Sequence, residues 1–531
     1  MQDIEQRAVH AYTPFGNPDG SRADLEEISK GFVTFGTAPL WGGLSTRPDD
    51  LTARVIVGRK GSGKTVYLRR LRAHAATEPS LFADEIQQGL PTTLDIVRFC
   101  QWFDEKVLTE QWMLLWHRAI LRSLMSHVLW NKGLARHFGA ETRETLQKLF
   151  PGMVREFRAY VSVYSQVSEI INEHHSSHSI EMYLKNPHWS ELETLLAEAL
   201  SESPPICFYL DAVDEEFAHA PMYWLRCQKG LFYQTMRLLR DAHFGNRLHL
   251  IICVRDVVLS SVYKSEHRTR YIGEPHIRIL QWTKDSIEYF LSEKLGKLEN
   301  RYFLEDPGKR GKTVEAWLGT SEMPHRNGEG SEPILQYLLR HTRLLPRDIV
   351  VLGNILCNEF TSMKHVRPTL EKQETIRRKV HEAARIFGNE QLAICANEMV
   401  SGFMPSDAAR HDYSEAYTGS KEYVQGVTEE LKKLISFIGA DRFTAKKLDE
   451  SRTAVPVVFE GGMDPFSILW RNGLVGYVDR SDADETYVFY SDNLLDEFNF
   501  PYEKELYAFH PIIIDAVGIR AAGKRPVVPF F

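Results

Sequence analysis

Eight consecutive residues, positions 58–65, have the types and spacing that a phosphate-binding loop requires. They follow a short apolar run that predicts a buried strand, and they precede residues with the apolar spacing of a helix. Glycines at positions 58 and 63 let backbone N–H groups turn inward around an anion, which also faces the helix N-terminus. Lys64 would reach the β and γ phosphates of a nucleotide, and the Thr65 hydroxyl would bind Mg²⁺. The residues predicted to bind the nucleotide are Gly58, Arg59, Lys60, Gly61, Ser62, Gly63, Lys64 and Thr65.

A carboxylate at the end of a second apolar run could complete a magnesium site. Five apolar residues, 206–210, precede Asp211, a pattern that suits a fully buried parallel strand. Asp211 would hold Mg²⁺ through water, and a second carboxylate just beyond it could activate the attacking water. Glu215 is the favoured base and Asp214 is the alternative. A buried strand with an acidic turn and no catalytic role is the competing interpretation. Together with the loop, these residues predict ATP and Mg²⁺ as the ligands.

The sheet that would position these side chains is predicted from further apolar runs. Residues 248–254 read as a third strand that ends in Arg255, which could sense the γ phosphate; a surface arginine closing the strand is the alternative. Residues 95–99 are predicted as the second strand in the sequence. Residues 276–280 are predicted as the fifth, followed by a helix over about 285–294. Five β segments that alternate with helices indicate an α/β fold with an open, mostly parallel sheet.

These motifs resemble those of a known class of ATPases. Residues 58–65, 210–215 and 254–256 are similar to the phosphate loop, extended acidic motif and sensor strand of the signal-transducing STAND ATPases, in particular the NACHT branch. The domain order is also similar to that of origin-recognition ATPases of the AAA+ class. The whole chain resembles bacterial single-chain P-loop ATPases associated with phage defence. The resemblance implies that the sensor strand lies between the phosphate-loop strand and the acidic strand.

The resemblance also implies a second sensor arginine. Residues 346–348, Pro-Arg-Asp, begin a predicted helix that runs to about position 360, and proline suits a first helical turn. This position is similar to the place where related ATPases carry a sensor in their helical lid. Arg347 is therefore the expected sensor and Arg343 the reserve, with an ordinary salt bridge at a helix start as the alternative for Arg347.

Two features depart from the resemblance. The acidic strand follows the phosphate loop only after a long segment, and residues 101–203 are predicted to form a helical insertion whose recurring tryptophans pack between helices. These tryptophans are Trp102, Trp112, Trp116 and Trp130. No array of 20–50-residue repeats follows the lid, although STAND proteins usually carry ligand-sensing repeats there.

Five parts of the chain are predicted. They are an N-terminal segment (1–50), a P-loop core (51–283), a helical lid (284–420), a winged helix (421–500) and a docked C-terminal tail (501–531). The winged helix is expected from helices over 427–438, 444–448 and 465–471, followed by a hairpin of residues 474–478 and 487–490. The apolar run 509–515 favours docking of the tail over disorder.

Composition restricts the class of protein. The 531 residues are 43% hydrophobic and 25% charged, with a formal net charge of −7, which argues against a largely disordered chain and against an unaided electrostatic binder of nucleic acid. The sequence contains no run of about 18 uncharged apolar residues, so no membrane span is predicted. The N-terminus lacks a secretory signal, and the six scattered cysteines read as reduced core residues, so a cytoplasmic protein is expected. A histidine cluster at positions 174–178 is interpreted as a solvated loop rather than a metal site.

Three functions remain open from the sequence. The leading one is an ATPase switch that controls assembly with itself, as a homo-oligomer, or with a separate effector protein, in antiviral defence. The alternative is an origin-recognition-like ATPase that binds duplex DNA with its winged helix. A nucleotide-stabilised scaffold without turnover is the third. Residues 421–531 carry 13 Lys and Arg against 18 Asp and Glu, which favours protein contact over DNA for the winged helix.

Overall fold

The computed structural model shows a mixed α/β chain with a parallel sheet near the N-terminal end and an antiparallel sheet near the C-terminal end. The residues that it describes are 13–20, 23, 28, 32, 53–75, 82–83, 91–130, 140–149, 161–201, 203, 205–211, 221–241, 243–263, 268–325, 330–362, 369–401, 413–456, 464–480, 486–490, 500–520 and 526–529. Most of these residues are helical.

The parallel sheet has five strands in the order β2-β3-β4-β1-β5. The strands are β1 (Ala53–Gly58), β2 (Phe82–Ala83), β3 (Ile206–Asp211), β4 (Leu248–Arg255) and β5 (Ile277–Ile279). Strand β4 pairs with β1 on one side and with β3 on the other. The predicted arrangement, in which the strand ending in Arg255 lies between the other two motif strands, is therefore confirmed. Because all pairings are parallel, the carboxyl ends of the strands meet at one edge.

Burial explains why these segments form strands. Every residue of β3 and β4 is buried, so apolar side chains are needed on both faces of the strand, as expected for the interior of a parallel sheet. Strand β5 is only three residues long and lies at one edge. The predicted strand at 276–280 is thus confirmed in shortened form.

The predicted strand at residues 95–99 is wrong. These residues belong to the helix α2 (Thr93–Gln101). The Thr92 side chain accepts a hydrogen bond from the Asp95 N–H, while the Asp95 carboxylate accepts one from the Thr92 N–H, 3.0 Å away. This reciprocal cap satisfies two donors that a helix start leaves open, and it selects the helix over a strand. The edge position of the sheet is taken by β2 instead.

Helices fill the space between the strands and continue beyond the sheet. In chain order they are α1 (Lys64–Ala75), α2, α3 (Glu105–Trp130), α4 (Ala140–Leu149), α5 (Val163–Glu173), α6 (Ser177–Leu184), α7 (His188–Ser201), α8 (Pro221–Arg240), α9 (Asp256–Tyr263), α10 (Arg268–Tyr271), α11 (Lys284–Lys297), α12 (Pro307–Arg310), α13 (Val314–Leu318), α14 (Ile334–Arg340), α15 (Pro346–Ser362) and α16 (Thr369–Ser401). A short antiparallel pair, β6 (Glu322–Pro324) and β7 (Ser331–Pro333), precedes α14.

The described residues between α2 and β3 are mostly helical, with short turns and loops between the helices, which agrees with the predicted insertion. Trp112 and Trp116 on α3 are almost completely buried, and the Trp116 indole N–H donates to the Cys227 carbonyl at 3.0 Å. Trp102 packs partly buried against the same core. The tryptophans therefore serve helix packing, as predicted, and the side chain of Trp130 lies outside the described residues.

The C-terminal part forms an antiparallel sheet flanked by helices. The helices are α17 (Tyr413–Ile438), α18 (Ala445–Ala454), α19 (Pro465–Arg471) and α20 (Pro511–Val517), and the strands are β8 (Arg442–Thr444), β9 (Val475–Asp479), β10 (Thr486–Phe489) and β11 (Leu506–Phe509). The sheet order is β10-β9-β11-β8, so the tail strand β11 inserts between β9 and β8. Docking of the tail was predicted from its apolar run, and its insertion into the sheet was not.

Two predictions about the environment of the chain can be compared directly with the structure. None of the helices in the described ranges is long and apolar enough to cross a bilayer. All six cysteines are buried free thiols, as predicted from their scattered positions. Burial raises the pKa of Cys357 to about 12, which keeps that thiol protonated and unreactive near neutral pH.

Candidate functional site

The loop between β1 and α1, residues 58–65, is hereafter called the glycine loop. Gly61 and Gly63 have φ values of 91° and 92°, a conformation that only glycine adopts without strain. Gly58 is needed for space, because a Cβ atom there would lie 2.5 Å from the Ser62 hydroxyl. The predicted role of Gly63 in bending the backbone agrees with this geometry, and Gly61 shares that role.

Lys64, the first residue of α1, is held inside the curve of the glycine loop. Its side chain is only 4% exposed. The ammonium donates to the Gly58 carbonyl at 2.9 Å and to the Arg59 carbonyl at 3.1 Å. These two bonds span the loop and keep the cation over its centre, close to the backbone that would surround an anion. Thr65 follows at the second position of α1 and is half-buried.

The ends of β3 and β4 bring two further predicted residues to the same edge of the sheet. Arg255 is level with Gly58 across the β1–β4 pairing and is 4% exposed. Asp211 is level with Cys253 and is 8% exposed, and its carbonyl accepts a hydrogen bond from the Tyr164 hydroxyl. The predicted bases Asp214 and Glu215 lie outside the described residues.

Arg347, the expected sensor, lies directly against the glycine loop. Its N–H donates to the Gly61 carbonyl at 3.3 Å, and its side-chain carbons would be within about 3.1–3.3 Å of a Cβ atom at Gly61. Leu344, three residues earlier, has a φ of 54°, which is strained for a leucine and turns the chain into α15. The guanidinium is 32% exposed, so it remains accessible beside the loop.

Glu390 on α16 joins the glycine loop to Arg347. Its carboxylate oxygen Oε1 lies 3.1 Å from the Lys60 ammonium and 3.2 Å from the Arg347 guanidinium. Burial would raise the pKa of Glu390, but Arg343, Arg347 and Lys60 outweigh it and the net effect lowers the pKa. Glu390 is therefore an anion at neutral pH and occupies the side of the loop where basic groups converge.

Arg343, the reserve sensor, has a structural role. It is 7% exposed and forms a fork-like ion pair with Asp348, whose side chain is fully buried. Its Nε lies 2.9 Å from one carboxylate oxygen and its Nη2 lies 2.6 Å from the other. The pKa of Arg343 is raised by Asp348 despite the opposing effect of burial. Because Arg343 is paired with Asp348 at the start of α15, Arg347 is the candidate sensor.

The C-terminal part also contacts the glycine loop. The Arg59 guanidinium donates to the Arg471 carbonyl at the end of α19, at 3.0 Å, and lies 5.9 Å from the centre of the Tyr490 ring. The Arg471 side chain pairs with Glu398 on α16 and donates to the Ser260 hydroxyl at 2.7 Å. A cleft beside Val57 is lined by α9, α16, Arg471 and Tyr490. The candidate site is thus bounded by the parallel sheet, by α16 and by the C-terminal part.

The sequence motifs did not indicate Glu390, and they gave Arg471 a different interpretation. Glu390 lies in the middle of a 33-residue helix, two residues after Gly388, and belongs to no recognisable motif, so nothing local distinguishes it from a solvated glutamate. Arg471 is the single basic side chain of the helix over 465–471, which the DNA-binding alternative would place on duplex DNA. Both residues act through partners that are distant in the sequence, and such pairings are visible only in three dimensions.

Comparison with known proteins gives no matching family model and no significant match to a curated protein.

Proposed function

We propose that this chain is an ATP-binding and ATP-hydrolysing switch whose nucleotide site is the glycine loop. The observation that carries the proposal is the curved loop itself. The loop contains two glycines with positive φ angles and the buried cation Lys64, and it lies at the edge of the parallel sheet formed by the carboxyl ends of the strands. Ligands of open α/β sheets bind at this edge, and inward N–H groups with a fixed cation suit phosphates.

The neighbouring side chains fit a nucleotide with its metal ion. Thr65 and Asp211 provide a hydroxyl and a carboxylate, the kind of oxygen ligands that Mg²⁺ prefers. Strand β3 ends with Asp211 at this edge of the sheet, and helix α1, which contains Thr65, begins at the same edge. When bound, Mg²⁺ would neutralise phosphate charge. Arg255 and Arg347 would stabilise the negative charge of the terminal phosphate, and Glu215, with Asp214 as the alternative, would orient the attacking water.

The ion pairs of Glu390 suggest how the nucleotide state is transmitted. Phosphates in the glycine loop would attract Lys60 and Arg347, which Glu390 now holds, and they would repel the Glu390 carboxylate. Binding would therefore weaken the contact between α16 and the loop. Because α16 also pairs with Arg471 of the C-terminal part, a shift of α16 would change the placement of that part.

The output is proposed to be protein assembly, either as a homo-oligomer or with a separate effector protein. A role in antiviral defence rests on the motif resemblance alone. Helix α19, the DNA-reading helix of the alternative function, has every residue buried except the half-buried Ser467. Its basic side chain, Arg471, is already paired with Glu398. These contacts favour the switch over the origin-recognition-like alternative.

Release of phosphate from Mg-ATP tests the proposal. We expect turnover by the wild type, and we expect Lys64→Ala to lose it because the cation that faces the phosphates is removed. Lys309→Ala, which removes an exposed lysine from α12, should retain turnover. Glu215→Gln should slow turnover by orders of magnitude, and a selective effect of Asp214→Asn instead would transfer the base role to Asp214. Equal rates for Lys64→Ala and Lys309→Ala would refute the site.

A further inference from the structure

Two histidines and an aspartate from three helical segments lie close together beside α16, more than two helical turns before Glu390. His341 caps the end of α14, His381 lies on α16 and Asp515 lies on α20. One potential ligand atom of each lies within 4.8 Å of those of the other two. The His381 Nδ1 is 2.7 Å from Asp515 Oδ1, and the His341 Nε2 is 3.9 Å from Asp515 Oδ2.

The hydrogen bonds of this cluster leave two lone pairs facing each other. The His341 Nδ1 lies 2.7 Å from the Tyr337 carbonyl and must donate its proton to it, so the neutral ring presents a lone pair at Nε2. Asp515 Oδ2 is buried and has no hydrogen-bond partner among the described residues. His341 is 2% exposed. A cation between His341 Nε2 and Asp515 Oδ2 would satisfy both atoms.

We propose that His341, His381 and Asp515 bind a zinc ion. Two imidazoles and one carboxylate are a ligand set that suits Zn²⁺, with the remaining position left to water. Neighbouring ligand atoms of a tetrahedral zinc site are about 3.3 Å apart, so small side-chain rotations would close the cluster. The bond from the His341 Nδ1 to a backbone carbonyl is the kind of outer contact that orients a metal-binding histidine. Zinc would displace the proton that His381 shares with Asp515.

The cluster connects α16 with α20, so a bound zinc ion would clip the C-terminal tail to α16, that is, hold the two together. The two helices already approach closely, because a Cβ atom at Gly388 would lie 2.2 Å from the Ile512 carbonyl. Asp515 is one turn beyond Ile512, and His381 is two turns before Gly388. Since β11 immediately precedes α20 and belongs to the antiparallel sheet, the zinc ion would fix that sheet relative to α16.

Zinc titration of tag-free, chelator-treated protein tests the clip. We expect one zinc ion per chain, and a loss of affinity of at least tenfold in Asp515→Asn and in His381→Gln. His276→Gln is the matched control, because His276 also pairs with a carboxylate, at 2.6 Å from Glu274, but belongs to no group of three metal-binding side chains among the described residues. At the same zinc concentration, the melting temperature should rise more in the wild type and in His276→Gln than in Asp515→Asn and His381→Gln.

Zinc affinity that is the same in the wild type and in Asp515→Asn would overturn the proposal. If the variants do not fold, X-ray absorption at the zinc edge of the wild type decides the question on its own. The proposal requires two imidazole ligands and oxygen in the remaining positions, and sulfur ligation or a single imidazole would overturn it. Circular dichroism of the metal-free variants establishes whether they fold.

Discussion

Lys60 of the glycine loop and Glu390 of α16 form an ion pair with an Nζ–Oε1 distance of 3.1 Å. The same carboxylate oxygen lies 3.2 Å from Arg347, so one anion holds two cations beside the loop where phosphates are proposed to bind. This arrangement makes the contact between α16 and the loop sensitive to any competing anion. Glu390 thereby links the proposed nucleotide to α16, the helix that also pairs with Arg471 of the C-terminal part.

The charge of Glu390 should make a measurable contribution to stability that depends on pH. Its pKa is lower in the folded protein, so its contribution is present above the ordinary glutamate value and is lost as the pH falls through the folded value. Glu390→Gln should reduce the free energy of unfolding by roughly 1 kcal/mol at pH 7, because two partly exposed pairs are lost. Urea unfolding of both proteins from pH 7 to pH 3 should show this difference shrinking at the acidic end.

The control for this prediction is Glu429→Gln. Glu429 pairs with Lys432 on the surface of α17 and is 64% exposed, so its removal should change stability by only a few tenths of a kcal/mol. A Glu390→Gln difference that stays constant across the pH range would mean that its carboxylate charge is not the cause.

Close packing between α16 and α20 should make Gly388 intolerant of a side chain. Gly388→Ala places a Cβ atom 2.2 Å from the Ile512 carbonyl and 2.6 Å from the Ala516 Cβ, so the helices must separate. We expect a destabilisation of about 1–3 kcal/mol, as for other overpacked sites. Gly296→Ala on α11 is the control, since that Cβ atom meets nothing within 4 Å and should stabilise by about 0.5–1 kcal/mol. Thermal unfolding of both variants measures the contrast, and equal effects would contradict the packing.

The C-terminal part should not be a strong reader of duplex DNA. Its candidate reading helix α19 is buried, and basic side chains on α16 are engaged in ion pairs, such as Lys379 with Glu359 and Glu382. Fluorescence anisotropy with a short duplex at about 50 mM salt should therefore show only weak binding, with and without ATP. Sub-micromolar binding that falls steeply with salt would favour the origin-recognition-like alternative.

Apolar runs and capping residues predict those helices and strands whose structure is determined within a short segment of the chain. Helix α19 has the predicted bounds, and the apolar runs before Gly58 and Arg255 form strands as predicted. That these two strands are neighbours was implied by the motif resemblance and not by the runs themselves. The capping pair Thr92 and Asp95 is also a signal in the sequence, and it outweighs the apolar run at 95–99, which by itself favours a strand. Strand β2 has only two residues and carries too weak a pattern to be predicted.

Contacts between distant segments could not be predicted in the same way. Arg347 was expected at the nucleotide because of its motif position, but its anchor on the Gly61 carbonyl depends on how α15 packs. Glu390, His381 and Asp515 are polar residues of ordinary helices whose partners come from other parts of the chain. Sequence periodicity reports which face of a helix is buried and gives no information about which polar group lies opposite.

The affinity for Mg-ATP of three proteins, measured by titration calorimetry, tests the central claim most directly. The account predicts that Glu390→Gln binds roughly two- to five-fold more tightly than the wild type, because the carboxylate that competes for Lys60 and Arg347 is gone. It predicts that Lys64→Ala binds at least roughly tenfold more weakly, because a buried charge-assisted hydrogen bond to the phosphates is lost. Equal affinities in all three proteins, or no binding by the wild type, would contradict the account.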